Sequence, residues 1–305
     1  MSDRRAHLDT LAIVSLVGCA ALWGLNQAAT KVAVAEIPPL LQAAARSAGA
    51  ALLLGLWAAW RRIPLAPLAG PGLRAPALLA GGLFAAEFGC IFVGLQYTSA
   101  SRMAVFIYLA PFFVALGMPF IAAGERLRGW QLAGLGLAFA GVVLAFGESF
   151  GAGAPAGSRQ GWGDALGVVG AALWAGTTLS IRATRLAGAP AEQTLMAQLV
   201  VSALALGAAG VWAGESWPAH VSALAWGSLA FQTVVVTFAS YLLWFWLVRH
   251  YAATQISTYT LLTPVFGLAA GVGLLGEPLT WRIVVALVAV SAGIALVTRR
   301  PRGAT

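Results

Sequence analysis

The chain has 305 residues, 60% of them hydrophobic and only 9% charged, and its mean hydropathy of +0.85 excludes an ordinary soluble domain, which carries roughly 25% charged residues. Its formal charge of +8 comes from basic residues that stand singly between apolar runs rather than in a stripe with interleaved aromatics, which excludes a nucleic-acid partner. Cys19 and Cys90 both lie inside apolar runs, so neither a disulfide framework nor a Cys-based metal site is expected.

A membrane-crossing helix needs about 20 mostly apolar residues. With Gly, Pro and charges as punctuation, the first such run covers residues 10–34 and carries Trp23, Asn26, Gln27 and Thr30 at i, i+3, i+4 and i+7, one stripe of a helix. Leu16-Val17-Gly18-Cys19 after Arg4 and Arg5 has the form of a lipoprotein cleavage box, but the apolar run continues beyond it, so an uncleaved first helix is expected. Runs at 38–60 and 75–97 hold Arg46 and Glu87, which the 1.5 Å rise per residue places at similar depth. Either they form an ion pair that fixes helix packing, or they serve a proton or substrate charge. Glu87 is the carboxylate nearest a span centre; those near span ends are expected to be served by ordinary solvation.

The fourth run, 101–123, offers Tyr108 and Pro111, and a fifth covers 129–146. A Gly, Ala and Pro-rich linker follows at 147–163, too poor in burying residues to fold alone. The sixth run, 164–183, repeats the first stripe with Trp174, Thr177 and Thr178, and the seventh, 191–213, holds Gln198. Thr233, Thr237, Ser240, Tyr241 and Trp244 share one face of the eighth, 222–248. In the ninth, 254–275, Gln255, Tyr259 and Thr263 follow at four-residue steps and Pro264 interrupts the backbone; the tenth is 280–298. The fold class expected is therefore an all-α polytopic membrane protein of ten transmembrane helices.

Arg61, Arg62, Arg74, Arg126, Arg128, Arg182, Arg185, Arg249 and the arginines of both termini fall on one side, whereas Lys31, Arg102, Arg159 and Arg282 fall on the other. The positive-inside rule puts both termini in the cytoplasm. The halves also match: the stretch from Tyr97 through Pro111, Glu125 and Trp130 corresponds to that from Tyr251 through Pro264, Glu277 and Trp281. Five spans per half make this an inverted repeat, with residues 1–146 the first five-helix unit, 147–163 an external linker and 164–305 the second. Pro111 and Pro264, at repeat-related places, are candidate gates.

In order and spacing, "ALWG" in the first span, "PPLLQAAARSAGAALLL" in the second, "YTSAS", "LAPFFVAL" and "GERL" around the fourth, and the later "TPVF" and "GEPLT" resemble the ten-helix drug/metabolite transporters of the EamA type, most nearly the aromatic amino acid exporters. The resemblance implies a bundle with a central substrate cavity that exports amino acids or other metabolites from bacteria, hence an inner-membrane location. The chain departs from a symmetric pattern where Gln198 stands opposite Arg46.

Substrate contact is expected from Trp23, Asn26, Gln27, Arg46, Glu87, Tyr108, Trp174, Thr177, Tyr241, Tyr259 and Thr263; the competing account is that their polar atoms only bond neighbouring helices. Alternative cargoes are sugar phosphates, nucleotide-sugars or cationic drugs, and a non-transporting membrane scaffold is the rival of another class. A phosphate calls for several cations, and Arg46 is the one deeply placed. There is no GxxxxGK[ST] loop for ATP; Gly271, Gly273 and Gly276 spell GxGxxG without a preceding strand, and His7, His220 and His250 form no dyad. No enzyme activity, cofactor or metal is therefore expected, and the partners are a small-molecule substrate and membrane lipids. The small residues Gly134 and Ala138 permit close helix contact within or between chains, which leaves the oligomeric state open.

Overall fold

The computed structural model describes residues 9–65, 72–121, 129–150, 159–251 and 259–298. The first helix, α1 (Thr10–Val34), starts where the Asp9 carboxylate accepts a bond from the Ala12 N–H at 2.9 Å, one of the donors that a helix start leaves free. Pro39 supplies the first position of α2 (Pro39–Arg61), where its missing N–H costs nothing. Next come α3 (Arg74–Tyr97) and α4 (Ala100–Ile107), the latter capped by the Ser99 hydroxyl on the Arg102 N–H.

The fourth expected span is broken. After α4 the chain turns through Tyr108 and Leu109 and resumes as α5 (Ala110–Ile121), with Leu109 N–H bonding Phe106 and Phe112 N–H bonding Leu109 across the turn. Pro111 explains the break, because its ring denies a backbone donor and crowds the turn before it. The ninth span shows the same device: a 3-10 turn at Thr260–Leu262 precedes α11 (Thr263–Leu275), whose second residue is Pro264.

Between these, α6 (Gly129–Phe150) and α7 (Gln160–Ala183) run further toward each other than hydropathy indicates, leaving a shorter connection than 147–163. Beyond α8 (Ala191–Trp212), the eighth span is composite: α9 (Ala223–Ala230), a π-helical stretch Phe231–Ser240, then α10 (Tyr241–His250). The last helix is α12 (Trp281–Thr298). Seven helical units are long and apolar enough to cross a membrane, and the shorter apolar helices Gly129–Ala145, Thr260–Leu275 and Trp281–Leu296 complete ten spans. Among the described residues, Glu125 and Gln255 of the sequence reading have no place.

The halves interleave. α1 packs on α11, α2 on α8, α3 on α7 and α8, α4 on α7 and α11, and α6 on α12. Two crossings are close enough to demand glycine: a Cβ on Gly24 would lie 2.6 Å from the Gly267 nitrogen, and one on Gly163 would lie 2.8 Å from the Gly94 oxygen. Gly134 and Ala138 meet Gly293 of α12, so their small-residue spacing serves a contact inside the chain. Phe92, Phe106, Leu95 and Met103 fill the centre, while Leu56, Phe120 and Leu204 are exposed, as lipid contact requires, and Trp60, Trp212 and Trp281 are exposed at helix ends, where indoles suit the membrane interface.

Candidate functional site

At the end of the bundle where α1 and α3 finish and α4 and α7 begin, buried charges tie the two halves together. Arg102, in the first turn of α4, donates from Nε to both oxygens of Asp164 on α7 at 3.0 and 3.2 Å and from Nη2 to Oδ2 at 2.6 Å. Its Nη2 also reaches the Ala145 carbonyl, and the Thr98 hydroxyl donates to Asp164. Asp164 has 0% exposure; a forked guanidinium with every neighbouring bond made is the arrangement in which a buried pair is tolerated. Glu277, just after α11, accepts from the N–H groups of Ala100 and Ser101 and from the Ser101 hydroxyl at 2.7, 2.9 and 2.6 Å. This places a carboxylate on the positive end of α4. Lys31 Nζ donates to the carbonyls of Leu95 and Thr98 at the negative end of α3.

Two further carboxylates close the same end. Glu215 accepts from the Leu41 N–H at 2.9 Å at the start of α2, and Glu36 accepts from the N–H and hydroxyl of Ser222 at 2.6 Å each. Those bonds from Ser222 hold the Glu36 carboxyl below the ordinary carboxylate range. The expectation that carboxylates near span ends are simply solvated is thus corrected at Asp164, Glu215 and Glu277: the packed helix ends offer them backbone and side-chain donors in place of water.

The polar stripe of α1 divides in two. Thr30 is fully buried and bonds Asn26 O and Gln232 Oε1, and Gln42 joins the same knot, so this part of the stripe fastens α1, α2 and the π-helical stretch. Trp23, Asn26 and Gln27 instead border a cavity of about 280 Å³ between the halves. Across it stand Tyr108, at the break before Pro111; Trp174 and Thr177 on α7; Tyr241 on α10; Thr263, just before Pro264; and Glu87 on α3. Ile181 in the last turn of α7 and Leu195 in the second turn of α8 also border it. The cavity therefore extends from mid-bundle toward the end opposite the paired charges.

Ring contacts set its shape. The Trp23 indole donates to the Ser240 hydroxyl at 2.9 Å and meets Tyr241 and Trp244 edge-on at centroid distances of 6.3 and 5.1 Å. Tyr108 and Trp174 meet at 5.8 Å and 90°, a geometry in which a positive ring edge faces a negative ring face. Thr177 and Thr178 return their hydroxyl protons to the carbonyls four residues back, leaving oxygen lone pairs for other partners.

Two predicted contact residues lie elsewhere. Arg46 is 1% exposed and does not border the cavity; its guanidinium sits 3.8 Å from the Phe88 ring centroid and 5.3 Å from that of Phe92. It makes no direct ion pair with Glu87, although the two charges lie near enough to interact. Two aromatic rings on α3 give the cation a face to stack on, and that replaces the expected pairing. Tyr259 packs with Ala12, Leu16, Leu247 and Tyr251, because the 3-10 turn after it breaks the four-residue rhythm that linked it to Thr263. Phe84, Phe88 and Ile91 were missed, yet they share the α3 stripe of Glu87 at 84, 87, 88 and 91 and were discoverable from it.

Several buried polar atoms at this level have no hydrogen-bond partner: Asn26 Oδ1, Gln27 Oε1, and Nε and Nη2 of Arg46. The Glu87 carboxylate likewise takes no bond from a described residue. Orphaned polar groups are costly in a low dielectric, and of these residues Asn26 and Gln27 border the cavity whereas Arg46 does not, which makes the cavity the candidate ligand site. Among the described residues no three His, Cys, Asp or Glu side chains are placed to hold a metal ion.

The profile of the EamA-like transporter family matches residues 10–147 and again 161–299. The chain belongs to the EamA-like transporter family. Its two matched segments are the two five-helix repeats of an all-α membrane bundle, and the family's members carry small metabolites rather than transform them. The chain is 29% identical to the uncharacterized transporter YvbV of Bacillus subtilis over 92% of its length and 89% of that protein's. It is 27% identical to a probable amino-acid metabolite efflux pump of Salmonella typhimurium, covering 96% of this chain and 94% of the pump. A crystal structure with 20% identity superposes with a TM-score of 0.64 over 94% of this chain and 95% of the other, so the two share a fold.

Proposed function

We propose that this transporter exports amino acids and closely related small amino compounds, with aromatic and other neutral side chains preferred, by alternating access through the cavity between its repeats. The observation that carries the reading is the cavity wall itself: facing indoles and phenols from both halves surround a carboxylate and three amides, at mid-bundle depth, with one end of the bundle tied shut by buried charges. Rings bind an apolar or aromatic body without demanding one orientation. Exchange of the closed end between the two sides of the membrane would complete a cycle that needs no bond-making residue.

The arginine bias supports an inner-membrane bundle with cytoplasmic termini, with the linker between the repeats outside. In that orientation the cavity extends toward the cytoplasm and the charge pairs close the exterior. Phosphorylated cargoes are disfavoured because Arg46, the one deep cation, is stacked on Phe88 and does not border the cavity. The test is efflux of labelled amino acids from proteoliposomes. Wild type should release phenylalanine or a neutral analogue faster than empty vesicles, and Trp174→Ala should slow release about tenfold while remaining monodisperse. No release of any amino acid by folded protein would overturn the reading.

A further inference from the structure

We infer that the cavity reads the ammonium of its cargo and not the carboxylate, so that an aromatic monoamine, the amine left when an aromatic amino acid loses its carboxylate, is a better cargo than the amino acid itself. The inference rests on the transport reading above and narrows its substrate class. Its first support is the charge on the wall. Glu87 is the one carboxylate among the described lining residues, which include no Lys, Arg or His, and it takes no hydrogen bond or ion pair from a described residue. A primary ammonium placed there gains a charge-assisted bond in a water-poor site.

The rings are the second support. Trp23, Phe88, Trp174 and Tyr241 border the same space, and an aromatic face attracts a cation and repels an anion. The unpartnered oxygens of Asn26 and Gln27 add acceptors at this level. For a carboxylate the wall offers no matching cation. Arg46 does not border the cavity, its guanidinium being stacked on Phe88, and the repeat-related position on α8 is the neutral Gln198. A zwitterion would therefore bring in an anionic group that must lose its water for amide or indole donors alone, and that desolvation is unfavourable without a paired cation.

Three probes of one size separate the charges: 2-phenylethylamine, L-phenylalanine and 3-phenylpropionate, with phenethyltrimethylammonium as a fixed cation that cannot cross the bilayer as a neutral base. Binding to detergent-purified full-length protein is followed by tryptophan fluorescence, to which Trp23, Trp174 and Trp244 at the cavity report. The expected order is amine and fixed cation at least tenfold tighter than phenylalanine, with phenylpropionate weakest. Glu87→Gln should bring amine and amino acid within about twofold of each other; should that variant not fold, the wild-type order decides the matter. Phenylalanine binding as tightly as the amine, or more tightly, would overturn the inference while leaving amino-acid transport intact. The expected order without any efflux of either compound would instead uphold the recognition rule and remove the transport reading, and no binding of any probe would overturn both.

Discussion

Two regions of this bundle hold buried polar side chains in the same low-dielectric surroundings and treat them in opposite ways. At the closed end, Arg102, Asp164, Glu277 and Lys31 each meet fixed donors or acceptors, and the bonds of Arg102 to Asp164 and of Glu277 to the start of α4 run from one repeat to the other. In the cavity, Glu87, Asn26 and Gln27 face space and each other's neighbourhood without a bond that completes them. The difference separates scaffold from site better than residue type does: both regions contain a carboxylate, an arginine near it and amide or hydroxyl groups. A satisfied buried network specifies one packing, whereas an unsatisfied one waits for a ligand to complete it.

That contrast breaks most visibly at the closed end. Asp164→Asn leaves the Arg102 guanidinium buried without its counter-charge, and the expected loss is about 3–5 kcal/mol, read as a fall in thermal midpoint or as aggregation in detergent. A double change of Arg102→Met with Asp164→Leu should recover much of it, since an apolar pair removes the unpaired charge. Failure of the double variant to regain any stability would mean that the pair is not the cause. Next in size, Glu277→Gln keeps the shape but weakens charged bonds to the start of α4, an expected cost of about 1.5–3 kcal/mol in the same measurement.

In the cavity the order of effects reverses. Gln27→Ala removes a side-chain oxygen that bonds nothing, so stability should stay within about 0.5 kcal/mol of wild type while efflux falls severalfold; a large stability loss with normal efflux would return Gln27 to the scaffold. Smallest of all is Tyr259→Phe. Its ring packs against Ala12 and Leu16 rather than the cavity, and transport of an amino-compound panel should be unchanged within error. A shift in cargo preference would show that Tyr259 joins the site in another conformation.

Much of this could be read from the chain alone, and the exceptions have physical causes. Hydropathy located the ten spans because lipid demands long apolar runs, and the repeat appeared because matched Pro, Glu and Trp residues keep their order, each interval between them one residue shorter in the second half. Trp23, Asn26, Gln27, Trp174 and Thr177 fell on cavity-facing stripes because straight helices carry the 3.6 period faithfully. Tyr259 was misplaced where that period lapses into a tighter turn. Depth put Arg46 level with Glu87 and made pairing one of two readings, but depth along two helices fixes no azimuth, and the rings of Phe88 and Phe92 provide another resting place. The bonds of Asp164 and Glu277 join residues 62 to 177 positions apart, a separation on which no local pattern reports.

The π-helical stretch Phe231–Ser240 has a bearing on how much chain length the site can lose. Each residue of an α-helix advances about 100° around the axis, so a wider turn upstream changes the compass bearing of everything downstream. Tyr241 and Trp244 lie directly beyond the stretch and point into the cavity. Deleting a single residue within it would leave the hydropathy of the span almost untouched and the helix free to tighten. Both rings would then swing by roughly a quarter turn. Such a protein would still insert as ten spans, yet it would present a different wall to its cargo.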